Sequence, residues 1–273
     1  MVVVLGVFFP AVHVAKQALG KHAGKPESGG LPREAHIVAH CIRKEVGHTF
    51  TELVDRLGLM PEVCDRLGIH PEALPDPTTF YHSLNRYAMY IWRALLRVSA
   101  QQLHQSGHVA LDSTFFERKQ ASQHDLQRRN RTVTTIKATT LTDTESLAVL
   151  DVHCCIQREH DTKAGPRIIR RNADDLQAVV ADNGFQDWYT EYELSAYDLY
   201  YRTYHRGSNS TAVAHNALNR MYGYTQRWMA ETAYSTTKRT LSSALCSRLW
   251  YRQFREIVLM FFLHNIKKIA KKL

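Results

Sequence analysis

Three carboxylates stand out by their surroundings. Asp112 lies in a run otherwise made of Val109, Ala110, Leu111, Phe115 and Phe116. Asp182 follows the apolar stretch AVVA and precedes Gly184. Glu231 is one of two acids among residues 200–273, which carry thirteen Lys and Arg. A carboxylate among apolar neighbours is costly to bury unless it is paired or bound to a metal. Two aspartates at strand ends and a glutamate on a helix can converge, and such oxygens suit Mg²⁺ or Mn²⁺. Two such ions about 3.5–4 Å apart serve phosphodiester cleavage. Taken singly, each acid has a plainer reading: Asp112 can cap a turn through Ser113 or Thr114, and Glu231 can offset the local base density.

The spacing around Glu231 adds to this. Tyr224, Arg227, Glu231 and Lys238 form Y-x2-R-x3-E-x6-K. On one α-helix, at about 100° per residue, these four fall within an arc of about 60°. A carboxylate that can hold metal is then flanked by an Arg and a Lys that can hold phosphates. Tyr224 can hydrogen-bond a phosphate or stack on a base. The plainer reading is an Arg227–Glu231 i, i+4 ion pair on a solvated face.

Other candidates are weaker. His36/His40 and His104/His108 are i, i+4 pairs, but neither lies in an H-E-x-x-H pattern that would point to zinc. His160-Asp161-Thr162 lies before the second aspartate, where it can shape a site. There is no phosphate-binding glycine loop, nucleophile elbow or dinucleotide fingerprint.

These residues need elements to position them. His108–Phe116 reads as a strand, and Val133–Leu141 alternates as a half-buried strand does. The turn Thr142–Ser146 should pair Leu147–Ile156 back onto it. Asp174–Ala181 leads into Asp182, and Tyr197–Tyr204 is a further strand candidate. Helices are expected at Leu31 to about Leu59, with Thr51 as a cap, then at Val63–Leu67, and from Thr78 or Thr79 to about Gln105. Prolines 71, 75 and 77 break the chain between the last two. That stretch resembles a helix-turn-helix, though an ordinary helical hairpin reads the same way. Met221–Leu249 and Arg252–Lys271 complete the helices. Met1–Pro10 is apolar but lacks a basic flank and a clear cleavage site. It reads as a buried strand or an altered start, in preference to a signal peptide.

Composition sets the class. The 273 residues are 44% hydrophobic and 22% charged, as in a globular protein with a real core. The net charge is +9, yet residues 200–273 alone carry +11, which points to a polyanionic partner. No apolar run is long enough to span a bilayer, and no amphipathic anchor marks a membrane binder. The five cysteines form no C-x-x-C pair and read as reduced thiols of a cytoplasmic protein.

The chain resembles the DDE transposases of prokaryotic insertion sequences, particularly the insertion-sequence-five group. The resemblance rests on LDST around Asp112, ADNGF around Asp182 and the Tyr224–Lys238 signature, and covers about residues 105–265. Sixty-nine residues separate Asp112 from Asp182, and 48 separate Asp182 from Glu231. The second gap is too short for the β-rich insertion that some related transposases carry. The resemblance implies an α/β, RNase H-like fold, a mixed sheet flanked by helices, with an N-terminal helical region. Residues 1–104 would be that region and 105–273 the catalytic domain. It also implies two Mg²⁺ (or Mn²⁺) ions held by Asp112, Asp182 and Glu231, with the first Asp bridging them. Tyr224, Arg227, Lys238, Arg239, Arg248 and Arg252 would contact DNA, and Gly184 would allow a sharp turn after Asp182. The implied activity is cleavage at terminal inverted repeats and joining to target DNA, by a homodimer in the DNA complex. Two other readings share these features: an RNase H-like nuclease that does not join strands, and an inactive transposase-derived DNA-binding protein.

Overall fold

The structure is a computed structural model that describes all residues except 1, 25–29, 71–73, 129–132, 157–158, 222 and 273. The break expected at Pro71 therefore lies outside the described residues. The chain divides into two compact units, Leu103–Trp250 and Met1–Gln102 with Tyr251–Leu273.

The first unit is built on five strands. These are β1 (His108–Glu117), β2 (Thr135–Asp143), β3 (Val149–Cys155), β4 (Ala178–Ala181) and β5 (Tyr200–Thr203). Their order is β3-β2-β1-β4-β5. β1, β2 and β3 are antiparallel neighbours, whereas β4 and β5 run parallel to β1. This is the expected RNase H-like mixed sheet. The β2–β3 hairpin turns where the sequence signalled it. The buried Asp143 carboxylate accepts from the Ser106, Glu145 and Ser146 amides, which locks the turn. Helices α7 (Gln123–Arg128), α8 (Asp161–Arg170), α9 (Trp188–Leu194), α10 (Ser210–Met221) and α11 (Trp228–Leu241) complete the unit. Leu111, Phe116, Ile136, Leu141, Val152, Ile168 and Val179 are fully buried in it.

The second unit is helical: α1 (Val2–Leu19), α2 (Arg33–Val46), α3 (Phe50–Gly58), α4 (Pro61–Arg66), α5 (Pro77–Arg86), α6 (Met89–Gln101) and nearly all of α12 (Trp250–Ala270). Trp92, Phe80, Leu53, Leu95, Phe261 and Phe262 are among its fully buried side chains. Inside it, the Lys44 ammonium meets the Glu256 carboxylate at 2.7 Å, with side-chain exposures of 5% and 1%. Such a pair resists loss of either partner, because the other would be left as a buried charge.

Several local expectations change. The Met1–Pro10 stretch read as a buried strand is helical from Val2. An apolar run alone cannot separate strand from helix. The deciding signal is the period of the buried Val7, Phe8, Ala11, Val14 and Ala15. The single helix expected over Leu31–Leu59 is two, because Gly47 closes α2 with a φ of 76°. Thr49, two residues before the expected cap, starts α3 in a capping box with Glu52. Asp76 caps α5 ahead of Thr78, with Pro77 in the first turn where its missing N–H costs nothing. The long helix expected to run to Leu249 stops at Leu241, where Ser242 has a φ of 82°.

Candidate active site

The sheet register explains why two aspartates 70 positions apart are neighbours. In the parallel β1–β4 pair, Leu111 lies beside Ala181. One residue further on, Asp112 remains in β1 opposite Thr140 of β2, and Asp182 leaves β4 into a tight turn, Asn183–Phe185. Each carboxylate is oriented by the amide that follows it. Asp112 Oδ1 accepts from Ser113 N at 2.8 Å, and Asp182 Oδ1 from Asn183 N at 2.8 Å.

Glu231 comes from the first turn of α11, whose face is pinned to β1 by two side chains. The Tyr234 hydroxyl donates to the Asp112 carbonyl and lies 2.9 Å from Thr140 Oγ1. Lys238 Nζ donates to Thr114 Oγ1 at 2.6 Å, over the Phe116 ring. Tyr234 was not singled out from the sequence. Its distinguishing signal was its place on the same helix face as Glu231 and Lys238, at positions three and seven along.

The three acids act on one another. Burial pushes the Asp112 carboxyl up to about 6, and the charges of Glu231 and Asp182 add to this against the Ser113 amide and Arg227. Arg227 is the counter-charge. Its guanidinium is 2.9 Å from Glu231 Oε1 and 3.9 Å from Asp112 Oδ2. Burial opposes its charge, but Glu231, Asp112 and Asp182 outweigh that and hold it more firmly protonated than usual. Lys238 shifts the other way: burial lowers its pKa, with Glu117 opposing.

The donor set is carboxylate oxygen throughout, which suits a hard divalent cation such as Mg²⁺ or Mn²⁺. The Arg227 guanidinium holds the place between Asp112 and Glu231 where such a cation would balance the same charges. Among the described residues, no three acid, His or Cys side chains stand close enough together to hold a metal ion directly.

Other expected site residues are placed as follows. Tyr224 lies in a 3-10 turn, Tyr224–Arg227, ahead of α11, so the single α-helical face drawn through it does not extend that far. It is buried and stacks on Tyr204 at 3.7 Å, and burial, then Asp182, pushes its pKa up to about 12. Gly184 sits within the turn after Asp182 at an ordinary negative φ. A Cβ there would meet nothing closer than Asp161 Oδ2 at 3.6 Å, so the sharp turn is made without glycine's freedom. Arg239 and Arg248 are exposed in the sheet unit. Arg252 is in the helical unit, buried, with its guanidinium 3.6 Å over the Tyr81 ring. The helical unit also ties down Arg255, on the Tyr87 carbonyl, and Lys267, 2.7 Å from Glu45.

This geometry can now be set beside known proteins. Residues 103–266 match the family described as the transposase DDE domain, and the chain belongs to that family. Among solved structures, the chain is similar to piggyBac transposase, seen by cryo-electron microscopy in a synaptic complex with hairpin DNA. That likeness is 12% in identity with a TM-score of 0.48, over 98% of this chain and 66% of the other. The chain thus spans just under two thirds of that transposase. No curated protein sequence matches the chain.

Proposed function

We propose that the chain is the transposase of an insertion sequence of the insertion-sequence-five group, which cleaves DNA at the element's terminal inverted repeats and joins the ends to target DNA. The observation that carries this reading is the β1–β4 register. It brings Asp112, within β1, beside the end of β4 where Asp182 leaves it, and the first turn of α11 and the 3-10 turn before it add Glu231 and the Arg227 guanidinium, which all three acids attract.

In this reading Asp112, Asp182 and Glu231 would hold two Mg²⁺ (or Mn²⁺) ions, which would supply Lewis-acid stabilisation of charge at the scissile phosphate. The rest falls to the chain's own groups. Tyr234 fixes the Asp112 backbone and so the position of the carboxylate. Arg227 exchanges carboxylate for phosphate as DNA enters, since a guanidinium pairs well with either. Lys238, Arg239 and Arg248 contribute positive charge along the DNA path, and Tyr224 borders it from its stack on Tyr204. Arg252 acts by packing. The helix-turn-helix-like stretch of the N-terminal region contacts the element ends, and the protein works as a cytoplasmic homodimer on DNA. Among the described residues, no helix is long and apolar enough to cross a membrane.

The test is a cleavage and joining assay with a labelled element end, taken from the inverted repeats flanking the gene, and a target plasmid. Asp112→Ala, Asp182→Ala and Glu231→Ala should each abolish Mg²⁺-dependent cleavage while end binding is retained. Cleavage surviving in any of the three removes that residue from the site. Cleavage without joining by the wild type would assign a nuclease, and binding without cleavage a transposase-derived DNA-binding protein.

A further inference from the structure

His160-Asp161-Thr162, set apart in the sequence, forms the start of α8, on the sheet face opposite α11. His160 caps the helix through Thr162, which turns Asp161 inward. Asp161 Oδ1 accepts from Ser113 Oγ at 2.7 Å, and Ser113 Oγ also lies 2.8 Å from Thr139 Oγ1. Ser113 follows Asp112 in β1, and consecutive strand residues point to opposite faces. Asp161 therefore grips from behind the strand that presents Asp112 in front. Its second oxygen faces the turn after Asp182, 3.6 Å from where a Cβ on Gly184 would stand. One carboxylate thus bonds the residue after Asp112 and faces the turn that follows Asp182.

Two further observations suit a positioning role. Asp161 is neutralised by Lys137, whose buried ammonium lies 2.8 Å from the same oxygen and also donates to the Glu159 carbonyl. A fixed, charge-balanced carboxylate can hold Ser113 without adding free negative charge behind the site. In addition, α8 packs closely at Gly165, where a Cβ would come 3.0 Å from Phe185 and 3.2 Å from Leu111. Leu111 precedes Asp112, and Phe185 closes the turn that begins at Asp182.

We propose that Asp161, acting through Ser113 and the Gly184 turn, is a positioning residue that sets the spacing of Asp112 and Asp182 from the far side of the sheet. The proposal rests on the transposase reading above. Groups that orient carboxylate ligands typically contribute about 10- to 100-fold in metal affinity or rate.

Ser113→Ala removes the link and leaves the Asp161–Lys137 pair intact, so folding is spared. It should weaken Mn²⁺ binding, measured by direct titration without DNA, and slow single-turnover cleavage, each roughly 10- to 100-fold. The melting temperature and affinity for the DNA end should stay at wild-type values, and Ser113→Thr, which keeps the hydroxyl, should restore both losses. Asp161→Ala combined with Lys137→Met removes both charges together and should reproduce the Ser113→Ala defect. Adding Ser113→Ala to that pair should make nothing worse. Wild-type Mn²⁺ affinity and rate in Ser113→Ala, failure of threonine to rescue, or additive losses would each overturn the proposal. A wild type that shows no Mg²⁺-dependent cleavage would instead remove the transposase reading on which it rests.

Discussion

Asp112 is held where a carboxylate is least at ease. Its pKa of about 6 in the folded chain stands above the ordinary 3.8. Protonation therefore favours folding: the contribution is complete below the unfolded value and is lost as pH rises through about 6. At neutral pH the charged side chain costs stability, on the order of 1–3 kcal/mol for a shift of this size. Asp112→Asn should raise the melting temperature of the metal-free protein at neutral pH, and the gain should fade as the acid limb is approached. A melting temperature unchanged at both pH extremes would show that Asp112 carries no such burden. Arg227 makes the converse case. Because it occupies the space between Asp112 and Glu231, Arg227→Gln should tighten Mn²⁺ binding in the absence of DNA several-fold, by removing a competing cation. It should also weaken binding of the DNA end, where a phosphate contact is lost. A titration in which Mn²⁺ binds Arg227→Gln no better than wild type would refute the competition.

At the scale of elements, the site depends on how α11 lies against β1. The Tyr234 phenol is buried and joins the Asp112 carbonyl to Thr140. Tyr234→Phe would leave both partners short of a hydrogen bond in the interior, at about 1–3 kcal/mol. The expected result is a melting temperature lower by several degrees together with slower cleavage; a loss of stability alone would confine Tyr234 to packing. The same region shows what could be read in advance. Asp112 and Asp182 were legible because a charge inside or just after an apolar run is rare, and those runs read as strands. The helical spacing caught Glu231 and Lys238, which do share the α11 face. It overreached at Tyr224, because Gly223, at a φ of 86°, starts a 3-10 turn that the 3.6-residue period does not describe. Ser113, Lys137 and Asp161 could not be joined from sequence: they meet only through the β1–β2 register and the packing of α8. The breaks at Gly47 and Ser242 come from single positive-φ residues, which pattern matching over a longer window smooths away.

Across the whole molecule, the basic last quarter has two jobs. Arg239 and Arg248 are exposed in the sheet unit, whereas Arg252, Arg255 and Lys267 are spent inside the helical unit on Tyr81, Tyr87 and Glu45. Counting charge by sequence merged these populations. They separate in a salt titration of DNA binding. Arg239→Ala and Arg248→Ala should each reduce the slope of log K against log salt by about one, with little change in melting temperature. Arg252→Ala should leave the slope alone and lower the melting temperature. An unchanged slope in the first two variants would take them off the DNA path.

The Lys44–Glu256 pair links α2 to α12 across 212 residues of sequence, and the entire sheet unit is encoded between them. A chain leaving the ribosome makes α2 early and must wait for nearly everything else before α12 arrives to neutralise Lys44 and cover the apolar face that Phe261 and Phe262 fill. The sheet unit, complete by Trp250, can assemble in the meantime. The helical unit is therefore closed only after the sheet unit has been synthesised, and a chain stopped before α12 carries helices that lack their closing member.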